Sequence, residues 1–241
     1  MTDSNDSSQQ RAALVAGGTG GIGRAVAEHL LELGYAVALL ARSEERLEST
    51  RQQLAETGGQ VTAFACDIGD EQAVGDAVKA AHQTLGRIDI VVNAAGIAEP
   101  AFVARGDGDY WDRMLRTNVL GAVWLSKAAG PIMRRQKGGH IIHVGSWASE
   151  EGRAGLAAYS ATKGALASLT RGVLRELGRK GVKVSTISPE EVATAMHADD
   201  APDREKMIAP ADVAEAVGFL LRLSPNAVVP ELFLRRTDAL V

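Results

Sequence analysis

Short apolar, β-branched runs recur along the chain, separated by stretches whose apolar positions repeat at helical spacing. The runs predict strands at Ala12–Ala16, Ala36–Leu40, Val61–Cys66, Ile88–Asn93, His140–Gly145, Lys183–Ile187 and Val228–Leu234. Helices are expected over Ile22–Leu33, Ser43–Thr57, Glu71–Leu85, Tyr110–Met133, Ala157–Gly178 and Ala211–Leu223. Strands without a polar face, alternating with helices, mark a parallel sheet covered on both sides. The expected fold class is α/β, a doubly wound, mostly parallel seven-stranded sheet with helices on both faces.

Composition narrows the partners. With 241 residues and 46% hydrophobic content, the chain is long enough for one large core, and no linker-like stretch divides it. We expect a disordered tail over residues 1–10 and a single Rossmann-type catalytic domain over 11–241. The polar start lacks the apolar core of a secretory signal, and no apolar run reaches the ~20 residues of a membrane helix. A soluble, cytoplasmic protein is expected. A net charge of −4 leaves no basic stripe for nucleic acid. The only cysteine, Cys66, lies in an apolar run and reads as a small buried hydrophobe.

The first predicted strand runs into the first helix through Gly17-Gly18-Thr19-Gly20-Gly21-Ile22-Gly23. Such a junction offers unpaired backbone N–H groups and the positive end of a helix dipole to a pyrophosphate, and glycines let it come close. Two registers fit, Gly18/Gly20/Gly23 and Gly17/Gly21/Gly23. The second strand ends at Arg42-Ser43, where an arginine suits a 2′-phosphate and an acid would suit a free ribose hydroxyl. NADP(H) is therefore favoured over NAD. Asp67, after the third strand, is placed to reach an adenine amino group, although helix capping explains it nearly as well. Asn93-Ala94-Ala95-Gly96 closes the fourth strand with small residues. Loops at the carboxyl ends of parallel strands bind ligands in such sheets, so these features converge on one crevice.

Tyr159 and Lys163 are one helical turn apart and share a helix face. A neighbouring ammonium favours the phenolate of a tyrosine, which makes the pair useful for proton transfer at neutral pH. Ser146, at the end of the fifth strand, offers a hydroxyl to a substrate oxygen. With these residues the sequence resembles the short-chain dehydrogenase/reductase family, from about Arg11 to at least Leu223. The resemblance selects the register Gly17, Gly21, Gly23 and makes Gly18 and Gly20 incidental. It implies catalytic roles for Asn118, Ser146, Tyr159 and Lys163. Tyr159 is then the general acid in reduction, and Lys163 lowers its pKa and bonds the nicotinamide ribose. Ser146 orients the carbonyl, and Asn118 holds a water of a proton relay. Cofactor contacts are implied for Gly17, Thr19, Gly21, Ile22, Gly23, Arg42, Ser43, Asp67, Ile68, Asn93, Ala94, Gly96, Tyr159, Lys163, Pro189, Val192 and Thr194. A homodimer or homotetramer is also implied, with Trp111 and Trp124 as interface anchors or core. His140 and His143 are offset by three residues on a strand, so they face opposite ways and do not share a metal. No metal site is expected. Trp147 reads as pocket lining or as core.

Two stretches depart from the family's pattern. Glu190 follows Pro189 where glycine is usual. Together with Glu191 it is expected to weaken cofactor binding, with the Glu190 side chain turned to solvent. After the last predicted strand, Arg235-Arg236-Thr237 stands in place of a glycine-ended segment found in acyl-carrier reductases. Between them, Ala195 to Ala209 is a short polar stretch where family members carry a substrate lid, which suggests an open pocket. The expected function is an NADP(H)-dependent oxidoreductase interconverting a carbonyl, on a small or carrier-bound ketone or 3-oxoacyl substrate, and a secondary alcohol. The alternatives are an NAD-linked sugar or alcohol dehydrogenase and a regulatory protein that senses NADPH without turnover.

Overall fold

The computed structural model describes residues 10–194, 196 and 203–240. The expected tail lies outside the described residues except for Gln10, whose side chain donates to the Gly34 carbonyl at 3.1 Å. The chain runs β1 (Ala12–Ala16), α1 (Gly21–Glu32), β2 (Ala36–Ala41), α2 (Glu44–Ala55), β3 (Val61–Ala65), α3 (Glu71–Leu85) and β4 (Ile90–Asn93). It continues through α4 (Gly108–Leu115), α5 (Gly121–Gln136), β5 (Gly139–Val144), α6 (Ala157–Leu177), β6 (Val182–Pro189), α7 (Pro210–Arg222) and β7 (Glu231–Leu234).

All seven strands form one sheet in the order β3-β2-β1-β4-β5-β6-β7, and every pairing is parallel. Alternate residues feed opposite cores, as the two-residue period of a strand requires. Ala13 and Val15 of β1 pack with α1, α2 and α7, whereas Leu14 and Ala16 pack with α3 and α5. The strand order reverses between β1 and β4, which leaves a crevice beyond their carboxyl ends.

Element ends differ from expectation for identifiable reasons. β4 begins at Ile90 because the backbone of Ile88 pairs with the Gln136 side-chain amide, which accepts from its N–H at 3.1 Å and donates to its carbonyl at 2.8 Å. β7 begins only at Glu231, since Pro230 has no N–H to donate to a ladder. The helix expected over Tyr110–Met133 is interrupted by a π turn over Arg116–Leu120, and Asn118 sits at its centre. Such turns are often found at functional sites. Among the described residues, no helix is long and apolar enough to cross a membrane.

Candidate active site

The glycine loop is shaped by backbone contacts that tolerate no side chain at two positions. Gly17 has φ +75°, and a Cβ there would lie 2.7 Å from the Ala95 backbone nitrogen. A Cβ on Gly23 would lie 2.2 Å from the Gly17 carbonyl oxygen. Gly21 abuts the side chain of Thr194, which joins the start of α1 to the loop after β6. A Cβ on Gly20 would make only ordinary contact, at 3.4 Å from the Gly17 carbonyl oxygen, and the residue lines the cleft. Gly18 is tighter, because a Cβ there would meet Leu39 Cδ2 at 2.8 Å. α1 carries no side-chain cap and no acid in its first turn. Its leading amides are thus left for an anion.

A cavity of about 540 Å³ opens in front of this loop, lined by Gly17, Thr19, Arg42, Ser43, Asp67, Ile68, Ala94 and Gly96. Arg46 also lines it and donates to the Thr19 carbonyl at 3.2 Å. Sequence reasoning missed this residue. Helical spacing offered no signal for it, because Arg42 lies before the Ser43 cap and off α2. Ser43 doubles as the α2 cap, accepting from Arg46 N at 3.2 Å. Asp67 is no helix cap. Its Oδ1 accepts from Gly69 N at 2.9 Å, and Asp70 caps α3 by accepting from Ala73 N at 2.8 Å. Cys66 is buried, and burial, aided by Asp67 and Asp70, pushes its thiol up to about 11, so it is a neutral wall residue.

The second cavity, about 220 Å³, shares Ala94, Ala95 and Gly96 with the first, so the two adjoin along the loop after β4. Ser146, Tyr159 and Lys163 meet in it, with Ile22, Pro189, Val192 and Thr194 around them. The Lys163 ammonium is buried, donates to the Val144 carbonyl at 2.9 Å, and lies 5.6 Å from the Tyr159 ring centroid. An ammonium has three N–H groups, so a hydroxyl-bearing ligand fits the remainder. Ser146 Oγ accepts from Ala148 N at 3.1 Å, which leaves its hydroxyl proton to donate.

Asn118 acts from behind. Its Oδ1 accepts from Ile97 N at 2.9 Å, and its Nδ2 donates to Ile97 O at 2.9 Å and to Thr162 Oγ1 at 3.2 Å. It therefore ties the loop after β4 to α6. Asn93 supports the same loop, its Oδ1 accepting from Ala95 N at 3.2 Å.

Similarity to known proteins shows the family. Residues 11–205 match the model of the short chain dehydrogenase family. The chain belongs to the short-chain dehydrogenase/reductase family. It is 37% identical over 223 residues to an uncharacterized oxidoreductase of Staphylococcus aureus (strain MRSA252), covering 92% of this chain and 96% of that one. An alcohol dehydrogenase from the archaeon Thermococcus sibiricus, complexed with 5-hydroxy-NADP, superposes with a TM-score of 0.87 at 29% identity, over 94% of this chain and 97% of that one. An actinorhodin polyketide ketoreductase with NADPH gives 0.87 at 28% identity, over 94% and 95%.

Within this short-chain dehydrogenase, one expectation is corrected. Glu190 does not turn to solvent: its side chain is 5% exposed. Its Oε1 accepts from Arg153 at 3.2 Å, and its Oε2 accepts from Arg235 Nε at 3.2 Å and from Arg236 N at 3.1 Å. Glu191 accepts from Arg153 at 2.9 Å and pairs closely with Arg236. Burial raises the Glu191 carboxyl, but the hydrogen bonds and charges of Arg236 and Arg153 outweigh it and hold the group below its ordinary value. The two carboxylates that looked unfavourable beside an anionic cofactor are thus offset by arginines.

The remaining candidates resolve individually. Trp147 lines the second cavity. Trp124 packs partly buried against the core and under Lys127, while Trp111 fills the space beside Gly106. His140 bonds Ser185 Oγ at 2.8 Å, and His143 meets Ser126 of α5 at 3.4 Å. The two rings have separate hydrogen-bond partners. Of the stretch Ala195 to Ala209, residues 195 and 197–202 lie outside the described residues. Met196 lines both the second cavity and the neighbouring cleft over Arg42 and Tyr110.

Proposed function

We propose that the chain, as one catalytic unit over residues 11–241, is an NADP(H)-dependent oxidoreductase that interconverts a ketone and a secondary alcohol. The observation that carries this reading is the meeting of Ser146, Tyr159 and Lys163 in one cavity that shares the wall Ala94–Gly96 with the glycine-loop cleft. A bound nicotinamide would supply the hydride to the carbonyl carbon. The chain's own groups handle the charge that develops on oxygen. Tyr159 Oη gives its proton to that oxygen while Ser146 Oγ donates a hydrogen bond to it. Lys163 offsets the charge left on Tyr159, and its N–H groups beyond the Val144 carbonyl serve the ribose hydroxyls of the cofactor. Asn118 keeps one Oδ1 lone pair after bonding Ile97 N, which is available to a water that replaces the proton Lys163 passes on to restore the Tyr159 phenol.

Arg42 and Arg46 support the preference for a 2′-phosphate, since guanidinium forks match phosphate geometry. Tyr110 and Arg113 border a neighbouring cleft of about 680 Å³, and a carrier-bound as well as a small substrate remains part of the proposal. A homo-oligomer in the cytoplasm completes the proposal.

The test is a panel of ketones and secondary alcohols followed by nicotinamide absorbance with both cofactors. Turnover preferring NADPH supports the reading. Absence of hydride transfer across the whole panel, with NADPH bound, points instead to a sensor.

A further inference from the structure

The two places where the sequence departs from its family's pattern, Glu190 and the Arg235-Arg236 end, are partners of one another in space. The cluster they form holds three guanidiniums, of Arg153, Arg235 and Arg236, and three carboxylates, of Glu190, Glu191 and Asp238. Glu190 is its least exposed carboxylate. Each of its two arginines belongs to a wall of the substrate cavity. Arg153 lines the cavity directly, between Ser146 and the start of α6. Arg235 lies 4.0 Å over the ring of Trp147, whose edge also meets Phe233 at 5.4 Å, and Trp147 follows Ser146 and lines the same cavity. The Glu190 N–H donates to the Leu234 carbonyl at 2.9 Å, so its backbone holds the end of β7 as well.

We infer that Glu190 is a positioning residue, which fixes Arg153 and, through Arg235, Trp147 as the preformed wall against which a substrate's body packs. The inference rests on the catalytic reading above. It makes the Arg235-Arg236 end a compensation for the carboxylate at 190. Without the carboxylate, Arg153 and Arg235 lose the anion that holds them, and the segment carrying Ser146 loses its brace. A glycine at this position therefore impairs the site, although glycine is the usual residue of the family. Glu190 does not line the glycine-loop cleft, so the loss falls chiefly on the substrate wall.

The experiment compares the full chain with Glu190→Gly, Glu190→Gln, Arg235→Gln and the double variant Glu190→Gln/Arg235→Gln. Steady-state kinetics on a ketone, NADPH binding by fluorescence and hydrogen exchange are measured on each. The expected result for Glu190→Gly is a KM for the ketone raised about tenfold or more with a smaller change in kcat. NADPH affinity falls by less than the ketone KM rises, and exchange is faster over 146–156 and 189–194 than elsewhere. Glu190→Gln restores part of the loss, because it keeps an acceptor of the same shape. The double variant is no worse than the more impaired of its two single variants, as coupled partners require. Unchanged or lower KM with unchanged exchange in Glu190→Gly overturns the inference, as do additive losses in the double variant. If Glu190→Gly does not fold, Glu190→Gln and the double variant decide. A wild-type chain that reduces no ketone defeats the catalytic reading instead, and exchange alone then decides the role of Glu190.

Discussion

The Asn118 side chain spans from Ile97, which it bonds through both its oxygen and its nitrogen at 2.9 Å, to Thr162 Oγ1 at 3.2 Å. One residue in a π turn thereby joins the loop that closes over the cleft to the helix that carries Tyr159 and Lys163. Thr162 in turn donates to the Tyr159 carbonyl at 2.7 Å, so the phenol's own backbone is part of the chain of bonds. Removing the amide, as in Asn118→Ala, is expected to cost about 1–3 kcal/mol of stability, because the Ile97 groups lose their partners in a buried setting. Urea denaturation measures it.

In the proposed mechanism the Tyr159 hydroxyl gives the proton. Tyr159→Phe keeps the ring beside Lys163 and removes only that donor, so turnover is expected to fall by about 10²–10⁴-fold. NADPH binding, followed by fluorescence, should be almost unaffected. Equal losses in both would show that the hydroxyl serves cofactor binding and not chemistry.

Arg42 and Arg46 frame the outer end of the cleft. Arg42→Asp places a carboxylate where the 2′-phosphate is expected, and the ratio of kcat/KM for NADPH to that for NADH should fall by about tenfold or more. Arg46→Ala should lower the same ratio less, since this side chain also serves the Thr19 carbonyl. The measurement is initial rates with the two cofactors at matched ketone concentration.

Glycine positions in the loop are not equivalent. Gly23→Ala drives a Cβ to 2.2 Å from a backbone oxygen that cannot move without opening the loop, so it should cost about 1–3 kcal/mol or more and weaken NADPH binding. Gly20→Ala meets ordinary contact only and should stay within about 1 kcal/mol. Thermal unfolding and cofactor titration of both variants check the contrast.

Two buried histidines make the fold acid-sensitive. Burial, reinforced by Lys183, depresses His140 to about 3, and burial, reinforced by Lys163, depresses His143 to about 4. Unfolded, each titrates near its ordinary 6.5. The unfolded chain therefore binds more protons below that pH. The stability is fully present above pH 6.5 and is lost as pH falls toward 4 and then 3, at up to about 1.4 kcal/mol per pH unit for each ring. Denaturation midpoints at neutral and mildly acid pH should show this, and His143→Gln should flatten the slope.

Much of this protein is legible without coordinates. β1, α3 and the starts of β2, β3 and α6 fall where hydrophobic periodicity places them, because burial on one or two faces dictates which residues may be polar. Tyr159 and Lys163 share a face by helical spacing alone. The parts that escaped depend on groups far apart in sequence. Arg46 could be assigned to the cleft only once α2 was seen to start beside Thr19. The π turn at Asn118 and the late start of β4 at Ile90 follow from side-chain bonds to other segments, which propensity does not encode.

Glu190 shows the division most clearly. The sequence by itself determined the α/β architecture, the family and the candidate reactive residues, because these rest on local period and on motifs contained in single segments. It also determined that a carboxylate stands where glycine is usual, and from that alone an exposed, unfavourable charge was the reasonable expectation. Only the tertiary structure decided that charge's surroundings. Parallel pairing of β6 with β7 brings Arg235 and Arg236 beside it, and the turn after β5 brings Arg153. A buried carboxylate persists when cations and N–H donors meet it at hydrogen-bond distance, and that meeting depends on chain segments the local pattern cannot align.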